Sequence, residues 1–250
     1  KSGLLTVLKD VFPDIWSDIL TCAFYEVSER KPLYLCDAWS EATQTPNNVT
    51  ISSPRISDLL HDLGNRDRDQ FLFFKSWAKL RSEHEFLVYD ITSVSSYSKL
   101  NKYLEYGYNR DGEDLPQINL GMLFGETSLL PIYYTTIQGS IKDMSCLNNL
   151  IAFSNDVGVN SLRLIMDKGF FSNENIREMI RKKLHFALAV PFTTKLAKQL
   201  VDSMRNTINS PIQSFSIDGD IVYGCVEKII YFGTRLNAFL CYSERRHLDS

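Results

Sequence analysis

Hydrophobic positions along the chain first repeat at helical spacing and then change to the spacing of strands. Leu4, Leu5, Leu8, Val11 and Phe12 form one apolar stripe, and Trp16, Ile19, Leu20 and Phe24 continue it after Pro13, predicting helix, a turn, and more helix or strand up to about residue 38. Residues 40–53 are rich in Ser, Thr, Asn and Pro, the composition of a loop. Ser53 and Pro54 then read as the cap and first residue of a helix carrying Ile56, Leu59, Leu60 and Leu63, ended by Gly64. A further helix is predicted over residues 67–82, with Phe71, Phe74, Trp77, Ala78 and Leu80 as its inward positions.

From Phe86 the period shortens. Residues 86–91, 118–124 and 129–137 read as strands, the last two joined by the turn Gly125-Glu126-Thr127-Ser128. Helices over 143–156, 173–183 and 193–204 alternate with strands over 162–167 and 186–190. Three successive strands followed by alternating helix and strand imply a mixed α/β sheet with helices packed on it. Beyond Pro211, residues 221–240 alternate weakly and carry Gly224 and Gly233, which predicts β-hairpins outside the main sheet. The expected division is a helical N-terminal region (1–85), the first part of a core (86–205), and a β-rich insertion (206–250). No internal repeat is visible.

Composition adds limits. The chain is 44% hydrophobic and 23% charged, ordinary for a globular protein. No run approaches the roughly 18 apolar residues of a membrane span. The five cysteines (Cys22, Cys36, Cys146, Cys225 and Cys241) are scattered without metal-binding spacing, and read as reduced, mostly buried thiols. The opening Lys1-Ser2-Gly3-Leu4 is neither an initiator methionine nor a secretory signal, and reads as a fragment edge. The net charge of −3 weighs against a nucleic-acid partner, but residues 168–205 hold eight Lys or Arg against Glu174, Glu178 and Asp202. A local basic face of that kind can hold phosphates whatever the total charge.

Two carboxylates stand at the ends of apolar strands: Asp90 in Val-Tyr-Asp-Ile-Thr-Ser, and Asp167 in Ile-Met-Asp-Lys-Gly-Phe. Adjacent strands would place them side by side. Hard divalent cations take such oxygen ligands, and usually accept one or two protein carboxylates with water and phosphate. A strand-terminal Asp is also commonly a turn residue or a helix cap. Lys168, Arg177, Arg181, Lys182, Lys183, Lys195 and Lys198 are candidates to line a phosphate path, against the plainer reading of solvated helix faces. Tyr103, Tyr106 and Tyr108 have the chemistry to stack on a base, although packing is the stronger reading of such aromatics. His185 follows Arg181-Lys182-Lys183 at a predicted helix end, where a cation suits the dipole.

Several motifs in order carry a family resemblance. Tyr89-Asp90-Ile91-Thr92-Ser93-Val94-Ser95-Ser96-Tyr97-Ser98 resembles the first-aspartate strand of bacterial insertion-sequence transposases of the DDE class. Glu105-Tyr106-Gly107-Tyr108-Asn109-Arg110-Asp111-Gly112 and Pro116-Gln117-Ile118-Asn119-Leu120-Gly121-Met122 are similar to the family's link into its second strand. Leu164-Ile165-Met166-Asp167-Lys168-Gly169-Phe170-Phe171-Ser172 resembles its second-aspartate motif, usually Asp-Arg-Gly-Phe, with Lys168 replacing the Arg. The resemblance is strong from about Phe86 to Pro191.

It implies a ribonuclease H-like core using Mg2+ or Mn2+, with Asp90 and Asp167 as catalytic metal ligands. It also implies cleavage and transfer of double-stranded DNA at terminal inverted repeats and target DNA, within a homo-oligomer in a bacterial, nucleoid-associated cytoplasm. The N-terminal helices would then be candidate DNA readers. The family's third carboxylate, a Glu in a Tyr/Arg/Glu/Lys-containing helix, has no counterpart in sequence context: Glu227 and Glu244 lie in strand-like or turn-like sequence. The expectation is that it lies beyond residue 250 and that this chain alone does not transpose. Two other readings compete. One is a non-catalytic DNA-binding remnant of a transposase. The other is a haloacid-dehalogenase-type phosphatase with Asp90 as nucleophile, although Thr92 stands where that motif has a second acid.

Overall fold

A computed structural model describes residues 2–48, 50–81, 85–99, 101–108, 112–141, 146–157, 162–204, 208, 213–217 and 219–243. The chain divides into two compact units: Lys1–Leu87 with Met122–Thr135 and Leu150–Leu162, and Val88–Gly121 with Thr136–Asn149 and Arg163–Ser250.

In the first unit, helices α1 (Leu4–Val11), α2 (Trp16–Glu29), α3 (Cys36–Ala42) and α4 (Ser53–Gly64) enclose a core of Leu8, Phe12, Ile15, Tyr25, Ile56 and Leu59. The α1 stripe is inward at Val7 and Leu8 and ends at Phe12, before Pro13. Ser52, rather than Ser53, caps α4, its hydroxyl accepting from the Arg55 N–H at 3.4 Å. Pro54 thus falls within the first turn, where its missing N–H costs nothing. The polar stretch 40–53 is pinned more firmly than its composition implies. Ile51 is buried in the core, and its N–H donates to Ser40 Oγ at 3.1 Å.

Helix α5 (Asp67–Arg81) buries Trp77 and Ala78, while Phe71 and Leu80, expected inward, are exposed. The inward set differs because α5 serves two neighbours. Phe73 packs on the helical core, and Phe74 meets Tyr133, Tyr134 and Phe153 edge-on. Phe24 and Leu60 also lie outside the predicted stripes, exposed. Cys22, Cys36 and Cys146 are buried, whereas Cys241 is exposed. Burial, with neighbouring Cys36 and Asp18, pushes the Cys22 thiol up to about 12, which suits an inert thiol.

The strands are β1 (Leu87–Ser95), β2 (Gln117–Gly125), β3 (Pro131–Gln138), β4 (Arg163–Met166) and β5 (His185–Leu188), with α6 (Leu147–Asp156) and α7 (Asn173–Arg181) between the later ones. They form one sheet in the order β3-β2-β1-β4-β5. A connection as short as residues 126–130 forces β2 and β3 antiparallel. β4 and β5 are parallel, with Arg163 opposite His185 and Met166 opposite Leu188, so the sheet is mixed. Residues 143–145 of the helix predicted over 143–156 lie outside the described residues. His185 opens β5 rather than ending a helix, because α7 stops at Arg181.

After α8 (Lys195–Met204) come β6 (Ser214–Ile217), β7 (Asp220–Tyr231) and β8 (Thr234–Ser243), an antiparallel sheet in that order. The alternation of residues 221–240 is therefore that of long hairpin strands. Among the described residues no helix is long and apolar enough to cross a membrane.

The β2–β3 turn is held by one carboxylate. Glu85 accepts the N–H groups of Thr127 and Ser128, each at 2.8 Å, and the Ser128 hydroxyl at 2.7 Å. Burial pushes this carboxyl up, but the bonds from Ser128 and Thr127 outweigh it and hold it below the usual range. A depressed carboxyl stabilises the fold above its unfolded value and loses that contribution as pH falls through the folded one. Glu85→Ala should therefore cost about 2 kcal/mol above about pH 5, from the loss of charge-assisted bonds. Urea unfolding of both proteins should show that difference shrinking below about pH 4. A difference constant with pH would assign the loss to packing instead.

Candidate active site

β1 carries its residues with period two. Leu87, Tyr89 and Ile91 are buried on one face, and Asp90 and Thr92 are exposed on the other. Asp90 lies inside the strand, not at its end, because β1 runs on to Ser95. Asp167 is the first residue beyond β4, extended at φ −78° and ψ 177°, and exposed. Its Oδ1 accepts the Gly169 N–H at 2.8 Å, so Asp167 caps the 3-10 turn Lys168–Phe170. That bond uses one carboxylate oxygen and leaves the capping reading compatible with a second role. β1 and β4 are neighbours in the sheet.

The two acid-bearing segments are joined beneath the carboxylates. Tyr89, one residue before Asp90, packs its ring on Phe170, three residues after Asp167, with centroids 5.1 Å apart and planes tilted by 46°. Both rings are buried. Asn175, also buried, donates from Nδ2 to the Phe170 carbonyl at 2.9 Å, and so ties the turn after Asp167 to α7. On the other flank Ala189 N–H donates to the Met166 carbonyl at 3.1 Å, continuing the pairing of β4 with β5 up to the aspartate. Carboxylates on strands braced in this way have the rigidity that a metal site needs.

The basic candidates lie on the same unit. Lys168 is exposed in the turn after Asp167, Lys182 is exposed at the C-terminal cap of α7, and Lys195 and Lys198 are exposed on α8. Lys183 is exposed with a positive φ of 55°. Two of the candidates already have partners. Arg181 is held by Glu178 at 2.6 and 2.7 Å, and the Arg177 guanidinium lies 4.3 Å from the ring of Phe232. Phe232 sits at the tip of the β7–β8 hairpin with φ 47°, followed by Gly233 at φ 75°. The adjacent Tyr231 hydroxyl donates to Asn173 Oδ1 at 2.9 Å. The hairpin tip is thus docked on the start of α7, a contact that no local pattern announces.

An open apolar cleft of about 1110 Å3 lies between β5, α8 and the β7–β8 hairpin, lined by Phe186, Leu188, Leu200, Leu236 and Leu240 among others. Its lining supplies no carboxylate. Among the described residues no group of three or more His, Cys, Asp or Glu is placed to hold a metal. Glu227 lies on β7, opposite Ala238, and Glu244 lies outside the described residues.

A family model for the transposase DDE domain matches residues 81–239, well over half of the chain. The chain belongs to the transposase DDE domain family. Membership removes the phosphatase reading, and it accords with the mixed sheet and its central acid-bearing strands. Such DDE domains generally use a divalent metal ion, and carboxylate oxygens such as those of Asp90 and Asp167 are the donor type that a hard divalent cation takes.

No curated protein matches the chain significantly. Solved structures similar to it include piggyBac transposase in a synaptic complex with hairpin DNA (12% identity, TM-score 0.44, covering 97% of this chain and 50% of that one). Mos1 transposase in a paired-end complex with the left transposon end is another (13% identity, TM-score 0.31, covering 78% and 67%). The Mos1 mariner paired-end complex with Mn is a third (14% identity, TM-score 0.28, covering 82% and 84%). The chain spans about half the length of the piggyBac transposase that it matches.

If the Tyr89–Phe170 contact joins the two segments, the residues should be coupled energetically. Phe170→Ala should cost about 3–5 kcal/mol in denaturant unfolding. A double-mutant cycle with Tyr89→Leu and Phe170→Leu should return a coupling of about 0.5–1.5 kcal/mol. Strict additivity would show that the two rings are buried independently.

Proposed function

We propose that this chain carries the catalytic core of a DNA transposase, with Asp90 and Asp167 as the two carboxylates that hold Mg2+ or Mn2+. The observation that supports this most is their placement: both are exposed, Asp90 on β1 and Asp167 just past the end of the neighbouring β4, and their segments share one ring contact. In this reading residues 1–85 form a helical N-terminal region, 86–205 the ribonuclease H-like core, and 206–250 a β-rich insertion.

The substrate is double-stranded DNA, at the terminal inverted repeats of an insertion sequence and at its target, handled by a homo-oligomer in a bacterial cytoplasm. Asp90 and Asp167 would hold the divalent ion, which would supply Lewis-acid polarisation of a phosphoryl oxygen. The protein's own contribution is positional. Asp90 is aimed outward by the pleat of β1, and Asp167 is fixed by its bond to Gly169. Lys168, Lys182, Lys195 and Lys198 present charge to phosphates, where Lys acts as a point charge that positions the duplex without reading sequence. Arg177 joins them only by leaving the Phe232 ring.

The rival reading, a DNA-binding remnant without chemistry, draws on the lack of a third acid beside the pair among the described residues. Both readings keep the aspartates on the surface, and they differ in what the aspartates bind. Calorimetric titration with Mn2+ should show binding that Asp90→Asn and Asp167→Asn each weaken about tenfold or more, by comparison with losses seen when mere supporting residues are removed. Mn2+ binding indifferent to both substitutions would remove the assignment.

A further inference from the structure

Four tyrosines stand in the connection between β1 and β2, and their exposure conflicts with their chemistry. Tyr97 is 83% exposed, Tyr106 67% and Tyr108 86%, with Tyr103 at 39%. A buried tyrosine would remove about 150–250 Å2 of surface from water, a gain these residues forgo. Rings on a loose loop would need no comment, but this backbone is fixed.

Glu105 and Gln117 exchange both backbone hydrogen bonds, at 3.1 and 3.0 Å, and the Gly139 N–H donates to the Tyr103 carbonyl at 3.3 Å. Gln117, fully buried, donates from Nε2 to the Tyr108 carbonyl at 2.9 Å. Its neighbour Asn119 is also buried and donates to the Gly139 and Ile141 carbonyls at 3.3 and 3.0 Å. Between these anchors the backbones of Gly107 and Gly139 approach so closely that a Cβ on Gly107 would overlap the Gly139 carbonyl oxygen. The Glu105 carboxylate is turned to Gln138 and Ser140. Residues 103–108 therefore form a strap held by buried amides, with its aromatic rings left in solvent.

We propose that Tyr106 and Tyr108 form a stacking platform for unpaired bases of DNA, assisted by Tyr97 and Tyr103. Bases inside a duplex are already stacked on both faces. The ligand is therefore a nucleotide displaced from the helix, as at a strand end that has opened. Lys99 and Lys102 supply cations to the accompanying phosphates, and Lys102 Nζ already lies 5.4 Å from the Tyr103 ring. Stacking combined with backbone charge is the general mode of single-strand binding, and it tolerates any base because each has a π face. The fixed strap has spent its ordering entropy in folding, so little more is lost on binding. This inference rests on the reading that the chain handles DNA.

The test compares a labelled oligothymidine strand and a labelled blunt duplex, each titrated with the 250-residue chain by fluorescence anisotropy. The double variant Tyr106→Ala/Tyr108→Ala should bind the strand about tenfold more weakly or worse, with duplex binding within about twofold. Tyr106→Phe/Tyr108→Phe should restore strand binding, because the ring and not the hydroxyl stacks. An unchanged thermal melt for the alanine variant is expected from the exposure of both rings. A 2-aminopurine placed in the strand should be quenched by the parent protein and not by the alanine variant.

Equal strand binding by parent and alanine variant overturns the platform. So does a loss shared equally by strand and duplex, or a change in sedimentation without a change in strand binding, which would assign the rings to self-association. Should the parent bind duplex but not strand, the platform falls and the DNA reading stands. Binding of neither removes both.

Discussion

Tyr89 and Phe170 meet beneath the sheet surface, and the position of both aspartates follows from that contact. A strand alternates its side chains, so burying Tyr89 and Ile91 leaves Asp90 no direction but outward. Phe170 does the same for the second segment. With its ring buried and its carbonyl bonded to Asn175, the turn before it is fixed and Asp167 is left at the surface. A slip of β1 by one residue would place a carboxylate among buried rings, at a cost of several kcal/mol. The hydrophobic effect thus sets the register, and the register sets which face of β1 carries Asp90.

The same division of labour recurs elsewhere in this unit. On the strap of residues 103–108, buried polar groups hold a backbone while exposed rings are left free to engage a ligand. At the β7–β8 tip, Phe232 accepts a left-handed backbone, which costs about 1–2 kcal/mol for a residue with a Cβ. Its stacking under Arg177 offsets part of that. A turn chosen for local comfort would carry Asn there. The docked hairpin also withdraws Arg177 from the set of freely available cations. The exposed cations of residues 168–205 for which no ion pair or ring contact is described are Lys168, Lys182, Lys183, Lys195 and Lys198.

Much of this was legible in the chain because the signals were local. The period change at Phe86, the alternation of residues 118–124 and the helix of residues 173–183 all correspond to elements within a few residues. The misreadings have physical causes. Asp90 reads as a strand end because the apolar run stops there, but Thr92–Ser95 continue in β1, which is held between β2 and β4 in the sheet. Phe71 was placed inward because a single helical stripe cannot express two packing partners, which Phe73 and Phe74 divide between them. Tyr103, Tyr106 and Tyr108 read as packing residues because aromatic residues usually pack, whereas all three are exposed. The contrary signal was Gln117 and Asn119, polar residues at alternate positions of an otherwise apolar strand, where only a demand for hydrogen bonds explains them. The Tyr89–Phe170 contact joins residues 81 positions apart, beyond the reach of any local pattern.

The central claim is that Asp90 and Asp167 share one metal ion. Anomalous diffraction from crystals grown with Mn2+ tests it without reliance on activity. The account predicts a peak within about 2.0–2.3 Å of a carboxylate oxygen from each aspartate, with waters completing the shell. A peak on one aspartate alone, or Mn2+ bound elsewhere with both side chains unengaged, would contradict it.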